Sequence, residues 1–535
     1  MSLKVANITL SLDESETALP DKLAERLRVA RDGIGRWRIV RKSLDARQHN
    51  DVHFVFTVEV ELPCEDESRV VARLDDPLIG TYQADQFDWP EPGRERMSHR
   101  PLVVGSGPAG LLAAYFLARN GYAPVLIERG RAVKERVADV RAFDKGGELD
   151  PESNYLYGEG GAGTFSDGKL TSRGSGPDLL KVLELLSECH AKPSVLFEHR
   201  PHLGSNRLPL VVRTLRRKIE ELGGEVRFSC RVEDLDIAEG RLRGVMSSSG
   251  YLAADVLILA TGHSARDTYE MLLRRGVPLE ARPFQFGVRI EQPQEQINQA
   301  RFGPFADHPA LGAADYELVC KAAQRDLFTF CMCPGGYVMP SVSEAEHFAT
   351  NGMSESRHDS PFANSGLVVT ISPSETGDSH PLAGIAFQRR AERAAFEAGN
   401  RAYKAPIQRV TDFRAKRRSL GEIPSSYTIC SRGVVAGDLA DFMPPFVLAA
   451  LEQGLPVLDS RLRGRFLRNA TITGPESRGS SPVRIIRDNQ TRESTGVSGL
   501  YPCGEGAGYA GGIISAAVDG LRVARAVATR YATLR

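Results

Sequence analysis

The chain has 535 residues, 41% of them hydrophobic and 25% charged, an ordinary globular composition that excludes collagen-like and disordered-tail classes. Lysine plus arginine equals aspartate plus glutamate at 68 each, so bulk charge gives no reason to expect nucleic acid or an anionic membrane as partner. Eight cysteines without a CxxC point to a reducing cytoplasm and offer no metal-ligand spacing, and no apolar run reaches the ~18 residues of a membrane span.

Residues 1 to 95 read as a separate accessory unit. Val5 to Leu12 is a strand, Leu19 to Ala30 an amphipathic helix, and Trp37 to Leu44 and Val52 to Leu62 two further strands. This β-α-β-β order matches half of a ferredoxin-like fold and carries no catalytic constellation. It fits a docking module for a protein partner and equally a structural cap. The start, MSLKVANITLSLDESE, lacks the layout of a secretory signal. The polar stretch Gln86 to Arg100, which contains prolines, reads as a linker.

The first part of a dinucleotide-binding domain, residues 96 to 282, opens with RPLVVGSGPAGLLAAYFLARNGYAPVLIERG. Pro101 to Val104 is a short apolar strand, and the turn Gly105-Ser106-Gly107-Pro108-Ala109-Gly110 leads into a helix through Arg119. The first glycine permits the turn, the second admits a pyrophosphate and the third lets helix and strand touch. The pyrophosphate then meets the positive end of the helix. Pro124 to Ile127 forms the next strand, and Glu128, followed by Arg129, stands where a carboxylate accepts hydrogen bonds from ribose hydroxyls. The negative charge of Glu128 disfavours a 2′-phosphate and hence a bare NADP site.

The same glycine spacing recurs in YGEGGAGTFSDGKL, with no strand before it and no helix after it. It reads as a loop lying flat against a ligand through Gly161, Ala162, Thr164, Ser166 and Lys169. Glu225 to Gly262 reads as a small meander, with EVRFSC as its first strand, turns at Glu239-Gly240 and Ser249-Gly250, and DVLILATG at its end. In the following GHSARD, His263 and Asp267 are candidates for proton handling or for capping. Arg266 could anchor a substrate anion or pair locally with Asp267 or Glu270.

Residues 283 to 490 interrupt the nucleotide domain where substrate domains enter, at the carboxyl ends of the strands. FTFCMCPGGYVMP gives strand, turn and strand, Ala383 to Lys404 a helix, and Phe446 to Leu451 part of another. Cys331, Cys333 and Cys503 could be redox thiols or buried packing residues. The arginines of SRGSSPVRIIRD face an anion, solvent or structural partners. Residues 491 to 535 close the nucleotide domain, with strand Leu500 to Cys503, a glycine turn and the helix Ile513 to Ala528.

The fingerprint, the meander ending in ATG, and the strings GEGGAGTFSDGKL, ATGHSARDTYEML, FCMCPGGYV, PLAGIAFQRRAE, SSPVRIIRD and CGEGAGYAGGI together resemble the bacterial uncharacterised FAD-dependent dehydrogenase family, within the glutathione-reductase-like FAD superfamily. The resemblance spans nearly the whole chain. It implies an α/β fold with a Rossmann-like FAD-binding domain, an inserted α+β substrate domain and the small N-terminal domain. FAD is the implied cofactor. Val232 would lie against its adenine, Thr261 and Gly262 would pass it, and Gly504 and Glu505 would reach the ribityl chain. The helix starting at Gly512 and Ile513 would face the pyrimidine end of the flavin, where its dipole favours the reduced anion. The expected activity is a dehydrogenase or reductase passing hydride between flavin N5 and a small organic substrate, with transient NAD(P)H binding. A monooxygenase or oxidase, and a non-catalytic flavin-bound assembly protein, are the alternatives.

Overall fold

The computed structural model describes residues 2–63, 66–172, 174–424 and 430–534. Its N-terminal strands Ser2–Ser11, Trp37–Gln48, Asp51–Val60 and Ile79–Tyr82 form one antiparallel sheet in the order second, third, first, fourth. With helices Leu19–Leu27 and Glu67–Leu74 between them the order is β-α-β-β-α-β, so the ferredoxin-like unit is complete rather than half. The second half escapes sequence reading because it is short: its helix buries only Val70 and its strand has four residues. Leu3, Val5, Ile8 and Leu10 on one strand face and Leu19, Leu23 and Leu27 on the helix share a core.

The presumed linker is strapped down. Phe87 and Trp89 lie on the Phe116 ring, with centroids 5.8 and 5.7 Å away, and Gly93 N–H donates to the Ala528 carbonyl at 2.8 Å. The strand Trp37–Gln48 also docks, with Lys42 and residues Phe197 and His199 exchanging backbone hydrogen bonds of 2.7 and 2.8 Å.

Five three-residue strands make a wholly parallel sheet in the order Leu500–Pro502, Leu257–Leu259, Leu102–Val104, Val125–Ile127, Glu225–Arg227. The first four are buried along their length, as expected of a parallel sheet covered by helices on both faces. Helices Pro108–Arg119 and Ile513–Arg530 cross closely because Gly520 has no side chain; a Cβ there would stand 2.1 Å from the Ala109 carbonyl oxygen. Glu225–Arg227 belongs to this sheet, which corrects the reading of EVRFSC as the first meander strand. The meander is Val232–Ala238, Arg241–Ser247 and Gly250–Ala253, so Val232 opens its first strand rather than standing near the end of one. The VEDLDIA string hides this because its alternation is mostly acidic. Both turn assignments stand, with Glu239, Gly240 and Gly250 in left-handed conformations.

Leu279–Ala281 and Val483–Ile485 pair antiparallel and form a neck. Beyond it lies a seven-stranded sheet in the order Val319–Ala322, Arg325–Cys333, Phe362–Ile371, Phe284–Pro293, Thr471–Glu476, Ala405–Arg409, Val434–Ala436. Helices Ala383–Ala398 and Pro445–Arg461 pack on it, with Phe286, Val288, Leu367, Ile472, Leu451 and Leu455 in one core. The first helix stops before Lys404 because Gly399 and the left-handed Asn400 and Arg401 end it. Among the described residues no helix is long and apolar enough to cross a membrane.

Candidate cofactor and substrate site

One cavity of about 1650 Å³ lies between the parallel sheet and the inserted sheet. Gly105, Gly107, Pro108, Ala109, Glu128, Arg129, Gly161, Ala162, Ser166, Lys169, Val232, Thr261, Gly262, Glu505, Gly512 and Ile513 all contribute to its wall. Ser106, Gly110, Thr164 and Gly504 stand behind it, supporting the wall.

The fingerprint turn has the shape its glycines suggest. Gly105 sits at φ +99°, and a Cβ on Gly110 would lie 1.8 Å from the Gly105 carbonyl oxygen, so the third glycine is needed for the strand and helix to touch. A Cβ on Gly107 would meet nothing nearer than the Gly161 Cα at 4.0 Å. The gap there is left by two residues without side chains, beside the first turn of the Pro108–Arg119 helix, whose leading N–H groups have no intrahelical partners. An FAD pyrophosphate fits such a cradle.

Glu128 is buried and bound on all sides. One oxygen accepts from Ser106 N and Oγ, both at 2.8 Å, and the other from Gly130 N at 2.9 Å and Gly158 N at 3.0 Å. The carboxylate therefore ties three glycine-bearing segments together. The YGEGGAG loop is also stapled from below. The buried Arg136 donates to the carbonyls of Asn154, Tyr155, Gly158 and Glu159 at 2.8–3.2 Å, and burial lowers its pKa to about 9. Thr164 Oγ1 donates to the Glu159 carbonyl at 3.0 Å, which explains its place behind the wall. Nothing in the string VKERVADV marks Arg136 as a loop staple; only the fold brings it there.

At the closing turn, Gly504 N donates to Asp519 at 2.8 Å, and Asp519 is gripped by Arg487 through bonds of 2.6 and 2.9 Å. Among the arginines of SSPVRIIRD, Arg487 thus has a structural partner. Glu505 accepts from Gly512 N at 3.2 Å and lies 3.7 Å from His263 Nε2. Burial pushes the Glu505 carboxyl up to about 7, while burial and then the charges of Arg478 and Arg266 lower His263 to about 3. The histidine is neutral at pH 7, so this contact is not an ion pair. A carboxyl whose folded pKa is raised stabilises the fold below its unfolded value of ~4.3 and loses that contribution as pH rises through about 7. We therefore expect the melting temperature of FAD-free protein to fall across this window more steeply than that of Glu505→Gln. Parallel pH profiles in differential scanning calorimetry check this, and coincident profiles refute it.

Arg266 corrects its local pairing. It bonds neither Asp267 nor Glu270 but runs into the inserted domain, meeting Glu392 through two bonds of 2.8 Å and Glu344 at 2.7 Å. Asp267 instead pairs with Arg129 at 3.0 Å and accepts from Thr268 N, while Glu270 pairs with Arg389. The inserted sheet lends the cavity Phe284, Gln285, Thr329, Phe330 and Cys331, and the segment after it adds Arg478. Cys503 is buried, with its thiol pushed well above the usual range by burial, the behaviour of a packing residue. Three cavity groups that sequence reading missed are Asp167, His202 and His358. The two imidazoles stack 3.8 Å apart, and His358 Nε2 stands 3.3 Å from Asp167. They come from separate segments, and no local spacing joins them. Among the described residues no group of His, Cys, Asp and Glu could hold a metal ion.

Comparison with known proteins agrees with this geometry. Residues 99–290 match the pyridine nucleotide-disulphide oxidoreductase domain, residues 283–479 the family described as FAD-dependent protein, C-terminal domain-like, and residues 2–61 a domain of unknown function. The chain is an FAD-dependent oxidoreductase. It belongs to one bacterial family of FAD-dependent proteins with an uncharacterized protein of Clostridium beijerinckii, 42% identical over 535 residues and 99% of each chain. Among solved structures, the L-proline dehydrogenase of P. horikoshii is 11% identical, covering 81% of this chain and 93% of its own, at a TM-score of 0.32. The glycine oxidase of Bacillus cereus is 11% identical over 80% of this chain and 95% of its own, at 0.30.

Proposed function

We propose that the protein is a dehydrogenase or reductase of the glutathione-reductase-like FAD superfamily, passing hydride between flavin N5 and a small organic substrate. The observation that carries this reading is the shared cavity: one wall is the nucleotide fingerprint, the other the inserted sheet, and its ≈1650 Å³ exceeds the roughly 300–1,000 Å³ of an ordinary ligand pocket. That volume supports a dinucleotide together with a second molecule, including a transient nicotinamide.

In this reading Gly107, Pro108, Ala109 and Gly161 hold the pyrophosphate, and Arg129 and Val232 flank the adenosine. Thr261, Gly262 and Glu505 follow the ribityl chain, with the Gly512–Ile513 helix start at the pyrimidine end. FAD bound there exchanges hydride at N5. The chain itself lines this space with Phe284 and Phe330, and Glu505, whose carboxyl burial pushes up to about 7, can exchange a proton near neutrality, whereas His263 stays neutral. The seven cysteines among the described residues are all free, which supports a cytoplasmic setting.

The test is anaerobic incubation of the purified yellow protein with NADH, NADPH and dithionite in turn. A pyridine nucleotide should bleach the flavin, and an added acceptor should restore its colour. Bleaching by dithionite alone across a panel of reductants and substrates would overturn the hydride-transfer reading. Rapid reoxidation by oxygen with product formation would move it to oxidase or monooxygenase chemistry.

A further inference from the structure

We propose that Arg282 is the substrate anchor of the cavity and that the molecule bound there carries a carboxylate. The inference rests on the FAD oxidoreductase reading above and deepens it by naming a substrate class, the small organic acids.

Charge is matched around the rest of the cavity wall. Every other lysine and arginine that lines it has a carboxylate oxygen of the chain at 2.5–3.7 Å. Arg266, the arginine that its place in the sequence suggests for an anion, is engaged in the same way with Glu392 and Glu344. Arg282 is different. Among the described residues no carboxylate forms an ion pair with it, and its side chain makes one hydrogen bond, from Nη1 to the Gly508 carbonyl at 2.6 Å. A guanidinium has five N–H donors in a fixed fork, so the others are free to hold a ligand.

The surroundings call for a counter-ion. Arg282 is half-buried beside the like charge of Arg484, and burial and that charge both lower its pKa. Arg484 is itself taken by Glu280 at 3.0 Å. Glu505 is near enough to attract Arg282 without pairing with it, and burial pushes its carboxyl up to about 7, so near neutrality it supplies only part of a negative charge. A partly buried charge without a partner is unfavourable, and an incoming anion relieves it.

Arg282 is also held in the right place. It follows directly on the neck strand Leu279–Ala281, and its backbone N–H donates to the Pro482 carbonyl at 3.0 Å, next to the other neck strand. Through Gly508 it grips the closing turn between Glu505 and Gly512, the stretch assigned above to the ribityl chain and the pyrimidine end. The guanidinium is thus fixed where the nucleotide side and the inserted sheet meet. Gln285, at the start of that sheet, lines the cavity too, and its Oε1 is buried without a hydrogen-bond partner. Turning that amide over presents its NH2 to a ligand oxygen as a further donor.

The shape of the group selects the ligand. Two parallel N–H groups of a guanidinium match the two oxygens of a planar carboxylate. One unpaired cation balances one charge, which favours a monocarboxylate over a phosphate dianion.

The test is equilibrium dialysis of the holoprotein at pH 7 with radiolabelled benzoate, and with benzamide as its neutral analogue. Benzoate should bind saturably and more tightly than benzamide. In Arg282→Gln its affinity should fall roughly 10- to 100-fold, the range for losing a charged hydrogen-bond donor, and Arg282→Lys should keep part of it. Both variants are checked for FAD content and melting temperature. No saturable binding of benzoate to the wild type, or equal affinity for benzoate and benzamide, overturns the proposal whether or not the variants fold. So does an Arg282→Gln protein that binds benzoate like the wild type while its flavin potential shifts, because Arg282 then serves the flavin. A protein that purifies without FAD, or whose flavin only dithionite reduces, fails the earlier reading, and the dialysis still decides the carboxylate site.

Discussion

Gly107→Val protein should fold and purify colourless. The glycine has φ −72°, open to any residue, and a Cβ there would touch no chain atom closer than 4.0 Å, so the fold has no reason to reject a side chain. The added isopropyl group instead enters the gap facing Gly161, where a pyrophosphate must approach the backbone. We expect FAD affinity to fall on the order of 100-fold or more, about 3 kcal/mol, at nearly unchanged apoprotein melting temperature. Gly110→Ala provides the contrast. Its methyl would stand 1.8 Å from the Gly105 carbonyl oxygen, so it should lose folded protein as well as flavin. Flavin-to-protein absorbance ratio and melting temperature, measured on both variants, separate the two failures. A yellow Gly107→Val protein with wild-type affinity would remove the pyrophosphate from this turn.

Glu392→Gln should cost about 3–5 kcal/mol of stability, the range for breaking a buried ion pair while leaving its partners charged. Glu392 is wholly buried and binds Arg266, Arg478 and Ser477 Oγ, the last at 2.6 Å. Glu344 supplies the second negative charge, so Arg266 of the FAD domain meets two carboxylates of the inserted domain, and that domain's own Arg478 and Arg389 complete the cluster. Burial alone would raise the Glu392 pKa, but Arg266 and Arg478 hold it well below the usual carboxylate range; similarly, burial opposes and Arg389 and Arg266 lower Glu344 to about 2. Depressed carboxylates contribute stability above their unfolded value of ~4.3, and lose it as pH falls toward the folded value. Wild-type protein should therefore lose stability steeply between about pH 4.3 and 2, and Glu392→Gln less steeply from a lower plateau. Urea melts at several pH values test both features. Equal stability at pH 7 would show that the cluster is not holding the domains together.

Legibility followed the range of the forces involved. The FAD domain could be read because its signals are local: a strand, glycines at fixed offsets, a helix and Glu128 lie within thirty residues. The closing turn was readable for the same reason. Arg136, Arg266 and the stacked His202 and His358 were not, since their partners are 18 to 156 residues away and ordinary arginines and histidines carry no spacing code. The meander was misplaced by one strand because three-residue parallel strands such as Glu225–Arg227 are too short to show a period. Polar content suggested a free linker, whereas Phe87 and Trp89 decide its fate by stacking on Phe116.

The order of strands in the parallel sheet has a consequence for biosynthesis. Four of its five strands leave the ribosome before the inserted sheet begins, and the fifth, Leu500–Pro502, only after that sheet is complete. Until then the nascent nucleotide domain lacks an edge strand, the Gly504–Gly512 turn and the helix packed across Pro108–Arg119. The cavity wall on the nucleotide side is therefore completed only by a segment synthesised after the whole inserted sheet.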